Sequence, residues 1–140
     1  MDTTQASHIR DHNRLTALVH AVARELIIRG GSRAALECCE RLASALRAHL
    51  ADEEAHLFPR IEALVGDPQF SVTASLRRQH EVLRSLLEVF EEDLRRSDVR
   101  AGRNDLRELE AALTLHAAAE ERALHPLLGS GAVAHDHSAA

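Results

Sequence analysis

The sequence predicts an all-α protein: an up-down-up-down, antiparallel four-helix bundle made of two pseudo-symmetric helical hairpins. Apolar residues recur at alternating steps of three and four along almost the whole chain, which is the period of an amphipathic helix. The dominant residue types, Ala, Leu, Glu and Arg, favour helices. Short turns rich in Gly, Ser and Asp separate four long periodic segments, and such short connections make consecutive helices antiparallel.

The turns set the expected helix limits and indicate a single domain. Turn-forming residues cluster at 30–32, 66–68 and 97–104. We therefore expect helices at roughly 5–29, 33–64, 72–97 and 104–128. Gly129 and Gly131 predict the end of the fourth helix, so that residues 1–128 form one bundle and residues 129–140 form a disordered tail. A chain of 140 residues has the length of about one domain.

Composition narrows the classes of function. The net charge is −5 and arginines are scattered among acidic residues, which argues against binding to nucleic acid. No apolar run is long enough to span a membrane, and the first residues lack the features of a signal peptide, so we expect a cytoplasmic protein. The adjacent Cys38 and Cys39 fit a reducing compartment, and we expect both to be buried helix residues.

One eleven-residue pattern occurs twice. Residues 49–59 read HLADEEAHLFP and residues 116–126 read HAAAEERALHP, which share the frame His-x-x-x-Glu-Glu-x-x-Leu-x-Pro. A lone histidine precedes each copy by almost the same interval, His12 in the first half and His80 in the second. The chain is therefore expected to be two similar hairpins, each supplying one lone His and one His-x-x-x-Glu pair.

Polar residues occupy the apolar seams of the predicted helices, at His12, His49, Glu53, His80, His116 and Glu120. Packing the two hairpins together brings these four imidazoles and two carboxylates around one point. An isolated carboxylate in a core is very costly unless it is paired or bound to a metal. A carboxylate can bridge two cations, so two copies of the motif predict a site for two metal ions. The mixture of imidazole and carboxylate suits iron, manganese or zinc.

These motifs resemble the hemerythrin-like family, also called the HHE cation-binding domain. A histidine in the first helix, HLADEEAHLFP, RRQHEVL and HAAAEERALHP follow one another in the family's order, over residues ~8–128. The resemblance implies a four-helix bundle that holds two non-haem iron ions, which an oxo or hydroxo group can bridge. By motif match it implies that the ligands are His12, His49, Glu53, His80, His116 and Glu120, with both Glu as bridges.

The resemblance also implies a function. Members of the family bind or react with dioxygen, peroxide or nitric oxide, including catalase-like or peroxidase-like reactions; the alternative is an iron sensor or store without turnover. Oxygen carriers have a second His four residues after the third-helix His, where this chain has Arg84. Their fourth-helix carboxylate lies five residues after its His, whereas Glu120 lies four after. Both departures argue against reversible oxygen transport and resemble bacterial members.

Two more histidines are candidates for a further ligand. His8 lies one turn before the first-helix ligand, and His56 lies one turn after the first motif Glu, so both approach the same end of the bundle. We prefer His56 as the metal ligand, because residues near an N-terminus fray. If it is not a ligand, it is expected to be a neighbouring hydrogen-bond partner or proton relay. Glu54 and Glu121 are expected to lie beside the ligands without binding metal directly.

Overall fold

The computed structural model describes residues 3–65 and 71–139, with side chains described at 8–64 and 72–124. Its helices are α1 (Thr3–Arg29), α2 (Arg33–Asp52), α3 (Phe58–Val65), α4 (Ser71–Arg95) and α5 (Val99–Ala139). A π-helical turn, Glu53–Leu57, joins α2 to α3, and these elements together form one long second helix. The described ranges contain no strand, so the predicted all-α four-helix bundle is confirmed.

The helices pack as a closed ring of four neighbours. The two most extensive pairings, α1 with α2 and α4 with α5, are the two predicted hairpins. Contacts of α1 with α5 and of α2 with α4 join the hairpins to each other. The predicted turn at 66–68 lies outside the described residues. No helix in the part of the chain that the structure describes is long and apolar enough to cross a membrane.

Two apolar clusters form the core. The larger cluster includes Val19, Leu42, Leu87 and Leu109 and runs from the α1–α2 and α4–α5 turns to the middle of the bundle. The smaller cluster consists of Leu57, Phe58, Ile61, Leu76 and Leu124. Along α4, Leu76 belongs to the smaller cluster and Leu83 to the larger one, while the fully buried His80 lies between them. A polar layer therefore divides the core in two.

The α4–α5 turn is shorter than predicted, because Gly102 lies inside α5 and not in the turn. The Asp98 side chain accepts a hydrogen bond from the Ala101 amide at 3.0 Å and so caps the start of the helix. A Cβ atom at Gly102 would lie 2.7 Å from Cδ2 of Leu94. Gly102 therefore permits the close approach of α4 and α5 and does not break the helix.

The far end of α5 also differs from the prediction. The helix continues through Gly129 and Gly131 to Ala139. A glycine inside a helix costs about 1 kcal/mol relative to alanine, which weakens a helix but does not end it as a proline would. The division into a bundle at 1–128 and a disordered tail at 129–140 stays a prediction.

The π-helical turn was not predicted from the sequence. It closes with a hydrogen bond from the Phe58 amide to the Glu53 carbonyl oxygen. Pro59 follows the turn but does not by itself explain it, because Pro126 holds the same place in the second copy of the motif, where the chain is regular α-helix. Turns of this kind occur mostly as single insertions within α-helices and often at functional sites. Here the turn begins at one of the predicted metal ligands.

The end of α4 is closed by a residue in the left-handed conformation. Ser97 has φ 61°, and its amide donates to the carbonyl oxygen of Leu94 at 2.9 Å. The amide of Asp98 donates to the carbonyl oxygen of Asp93 at 2.9 Å. This pair of bonds is the Schellman motif, whose left-handed position favours glycine because a Cβ atom is strained there.

We therefore predict that Ser97→Gly raises the free energy of unfolding by about 1 kcal/mol, because it removes that strain. Urea denaturation measures the change. Gly30, at φ 57° after α1, supplies the converse variant, since Gly30→Ala introduces the same strain with no atom within 4 Å to clash. A lower stability for Ser97→Gly would contradict the prediction.

A second prediction concerns Asp105, which faces α4 from α5. Burial and the nearby carboxyl group of Asp93 raise the pKa of Asp105 to about 7. The folded chain thus keeps a proton that the unfolded chain releases near pH ~4, so this group lowers stability as pH rises from about 4 to about 7. Asp105→Asn should raise the melting temperature much more at pH 8 than at pH 5, where only part of this penalty has developed. Glu40→Gln, an exposed change of equal charge on α2, is the control; equal effects of Asp105→Asn at both pH values would refute the explanation.

Candidate metal centre

The polar layer contains six buried ionisable side chains, each at most 8 % exposed: His8, His49, Glu53, His80, His116 and Glu120. His12 lies beside them with 15 % of its side chain exposed. All four long helices contribute to the layer, since the two hairpins present their polar seam residues at one level. The six ligands predicted from the sequence are therefore brought together in one cluster.

Glu53 directs its two carboxylate oxygens to opposite sides of the cluster. Its Oε1 atom lies 3.0 Å from Nε2 of His80 and 3.4 Å from Nε2 of His116. Its Oε2 atom lies 3.4 Å from Nδ1 of His8 and 3.4 Å from Nε2 of His49. One carboxylate thus contacts imidazoles from both hairpins.

Glu120 is arranged in the same way from α5. Its Oε1 atom contacts Nε2 of His116 and lies 3.9 Å from Nε2 of His80. Its Oε2 atom contacts Nε2 of His8 and lies 3.3 Å from Nε2 of His12. The side chain is fully buried, so these imidazoles supply its polar surroundings.

The two carboxylates divide the cluster into two groups whose ligand atoms lie within 4.8 Å of one another. The α1 subsite comprises His8, His12, Glu53 and Glu120. The α4–α5 subsite comprises Glu53, His80, His116 and Glu120. Because both glutamates belong to both groups, the arrangement has the form of two cation sites that share two bridging carboxylates.

The donor atoms fit metal ions better than they fit a hydrogen-bonded core. Several buried atoms face one another across the cluster without forming a hydrogen bond of ordinary geometry: Nε2 of His8 and His12, both ring nitrogens of His49, Oε2 of Glu53, and both carboxylate oxygens of Glu120. A buried polar atom without a hydrogen bond costs about 1–3 kcal/mol, so this many in one place favour a bound group. Imidazole nitrogen with carboxylate oxygen is a donor set suited to iron, manganese or zinc.

Charges within the layer shift one another's pKa values. Burial alone would raise the pKa of Glu120, but the facing imidazoles of His116 and His12 hold it well below its usual range. The pKa of Glu53 is also lowered, because its imidazole contacts outweigh its burial. Burial alone would lower the pKa of His80, but the carboxylates of Glu120 and Glu53 raise it to about 9. Both carboxylates are therefore ionised, and metal ions would compete with protons for the imidazole nitrogens.

Side chains outside the cluster hold two of the imidazoles from behind. Nδ1 of His80 lies 2.6 Å from Oε2 of Glu54, and Arg84 donates to both oxygens of Glu54 at 2.9 and 2.7 Å. Nδ1 of His116 lies 2.7 Å from Oε1 of Gln79. When the imidazole is neutral, an Nδ1–H donated outward leaves the Nε2 lone pair toward the cluster, which is how metal-binding histidines are usually held. The predicted role of Glu54, beside the ligands, matches this placement.

Two clefts lead to the cluster from the α1 side. The larger, about 350 Å³, opens between α1 and α5 and is lined by His12, Asn13, Leu15, Thr16, Val19, His49, Glu110, Leu113, Thr114, His116, Ala117, Ala118 and Glu121. The smaller, about 150 Å³, lies between α1 and α2 and reaches His49. Small molecules thus have a route to the buried imidazoles. Glu121, expected beside the ligands, lies on the wall of the larger cleft.

The preference for His56 over His8 does not match the structure. The side chain of His56 is 77 % exposed and lies 3.7 Å from Asp52, outside the cluster, whereas His8 is buried within it. His56 lies in the π-helical turn, whose extra residue rotates the positions that follow by up to about 100° relative to a regular helix. The same turn explains why the sequence spacing alone was misleading.

Sequence reasoning did not identify Gln79 or the role of Arg84. Arg84 was noted only as the residue in place of a further histidine, and its partner Glu54 lies 30 residues away. No short-range pattern connects those positions. Gln79 precedes the predicted ligand His80 on α4, but its partner is His116 on α5, 37 residues away, so no short-range pattern identifies it either.

The chain was also compared with known proteins. The family model for the hemerythrin HHE cation binding domain matches residues 8–128. Searches among curated proteins and among solved structures found no match. The matched range covers every residue of the polar layer described above. The chain therefore belongs to the hemerythrin HHE cation-binding domain family.

Proposed function

We propose that this protein binds two iron ions in the polar layer and that it binds or reacts with dioxygen, peroxide or nitric oxide. The observation that carries the proposal is the placement of Glu53 and Glu120, each with one oxygen toward each subsite. A single cation would not require each carboxylate to direct its two oxygens to two different groups of imidazoles. Two shared carboxylates among buried imidazoles are suited to two cations held close together.

Each hairpin would supply most of the nitrogen ligands of one ion. His8, His12 and the adjoining His49 would hold the ion on the α1 side, and His80 and His116 would hold the ion on the other side. Iron ions bound there would supply redox chemistry and free coordination positions for a small ligand. The protein's own contribution is to keep both carboxylates ionised and to aim the imidazole nitrogens inward.

The clefts favour the handling of small molecules over iron storage or sensing without turnover. The larger cleft reaches His12, His49 and His116 and is far larger than dioxygen or peroxide, which leaves an open approach to the ions. Its wall carries the hydroxyl groups of Thr16 and Thr114, which can donate hydrogen bonds to an oxygen ligand. Catalase-like or peroxidase-like turnover is the reaction that we propose for this route.

The test of this function is rapid mixing of the anaerobic, iron(II)-loaded protein with oxygen, with hydrogen peroxide and with nitric oxide. We expect changes in the iron absorption bands within seconds for at least one of the three. The zinc-loaded protein is the control, since zinc has no redox chemistry. Spectra that stay unchanged with all three reagents would refute a reactive role and leave storage or sensing.

The bridging carboxylates give a prediction about metal content. Purified, iron-loaded protein should contain about two iron ions per chain, as expected for a two-metal site. Glu53→Ala or Glu120→Ala should each lose most of both ions, because each removes an oxygen from both subsites. Elemental analysis measures this, with Glu91→Ala as the control, since Glu91 pairs with Arg47 outside the layer. Full metal content in either bridge variant would contradict the bridging role.

A further inference from the structure

We propose that the two subsites bind their ions unequally. The α4–α5 subsite fills first and retains its ion, whereas the ion of the α1 subsite exchanges readily, and Glu54 and Arg84 are the positioning residues that create this difference. The proposal rests on the proposed function only in assuming that two ions bind. It concerns the order and strength of binding and makes no use of reactivity.

Hydrogen bonds fix the imidazoles of the α4–α5 subsite before any ion binds. Oε2 of Glu54 lies 2.6 Å from Nδ1 of His80, and Oε1 of Gln79 lies 2.7 Å from Nδ1 of His116. Phe58 packs against the ring of His80, with ring centres 4.9 Å apart. Ligands held in this way lose little freedom on binding, and such outer partners are worth about 10–100-fold in metal affinity.

Arg84 keeps Glu54 in the position that His80 requires. One guanidinium nitrogen donates to both oxygens of Glu54, and the other donates to Glu81 at 3.2 Å. Glu54 lies in the π-helical turn, and Arg84 lies one turn after His80 on α4. The ion pair therefore joins the long second helix to α4 at the level of the ligands. Arg84 thus occupies the place of a possible further ligand and supports an existing one instead.

The α1 subsite has no comparable support among the described side chains. Neither ring nitrogen of His49 forms a hydrogen bond, and its Nδ1 atom lies 3.7 Å from Asp11, beyond hydrogen-bond distance. His12 is partly exposed on the larger cleft. His80, in contrast, is fully buried and lines neither cleft. His116 reaches the wall of the larger cleft but is only 2 % exposed.

The number of ligands does not reverse this order. The compact groups contain two imidazoles each, His8 and His12 on one side and His80 and His116 on the other. Both groups share the same two carboxylates, so the bridging oxygens contribute to each. His49 lies at the edge of the α1 subsite and would give it a third imidazole, but no hydrogen bond holds either ring nitrogen of His49 in place. The outer hydrogen bonds and the lower exposure therefore favour the α4–α5 subsite although it has fewer imidazoles.

The first experiment identifies the subsite that fills first. Metal-free full-length protein is titrated with cobalt(II) by calorimetry and absorption, and crystals with one equivalent of zinc are examined by anomalous scattering. We expect two binding steps at least about tenfold apart, and a first zinc peak beside His80 and His116. Two equal steps, or a first peak beside His8 and His12, would overturn the proposal.

The second experiment tests the positioning residues. Glu54→Ala should weaken metal binding at the α4–α5 subsite by about 10–100-fold and leave the affinity of the α1 subsite unchanged. The two cobalt steps should then merge, or the first zinc peak should move to His8 and His12. Glu54→Gln should lose less, because the amide oxygen can still accept the proton of Nδ1. Arg84→Met, which keeps the apolar stem, should weaken the first step and is the variant to use if Glu54→Ala does not fold. An unchanged first step, with the first zinc peak still beside His80 and His116, would refute the assignment.

Loss of an ion pair between the same two helices provides the matched control. Arg47 of α2 is paired with Glu91 of α4 by two hydrogen bonds, away from the polar layer. Arg47→Met should change thermal stability but neither binding step, and a changed first step would show that Glu54 acts only through helix packing.

Failure of the iron protein to react with oxygen, peroxide or nitric oxide refutes the proposed function alone, whereas equal binding steps in a reactive protein refute this inference alone.

Discussion

The burial of two carboxylates is the constraint on which the rest of the structure depends. Glu53 is 2 % exposed and Glu120 is fully buried, in a small bundle that offers them no contact with water. A charged carboxylate in such a place is very unfavourable unless cations surround it. Imidazoles from all four long helices therefore converge on these two side chains, and the apolar core is divided into two clusters to make room for them.

The polar layer in turn fixes the register of the helices. A shift of one turn along α4 would replace His80 by Leu76 or Leu83 at the level of the carboxylates and leave charges without partners. The same shift would bring a polar side chain into an apolar cluster, where an unpaired polar group costs about 1–3 kcal/mol. The layer thus specifies one alignment of the hairpins, even though apolar helix faces by themselves tolerate several.

The sequence was sufficient for the features that depend on period and repetition. Spacing of apolar residues predicted the helices, and the duplicated motif brought Glu53 and Glu120 to one level, because both properties follow directly from helix geometry. Features that depend on a local change of geometry or on distant partners were missed. The π-helical turn moved His56 out of the layer, and Glu54 meets Arg84 across 30 residues of sequence. Gly102 was read as a turn because close packing of two helices leaves no periodic signal.

The two copies of the motif have the same sequence frame but do not have the same structure. The π-helical turn interrupts the first copy, whereas the described part of the second copy continues as regular α-helix in α5. The second Glu of each copy differs accordingly: Glu54 reaches His80 on the other hairpin, while Glu121 is exposed on the wall of a cleft. This difference between the copies is the structural basis of the unequal binding proposed above: the second Glu of the first copy supports an imidazole, whereas the second Glu of the other copy supports none among the described residues.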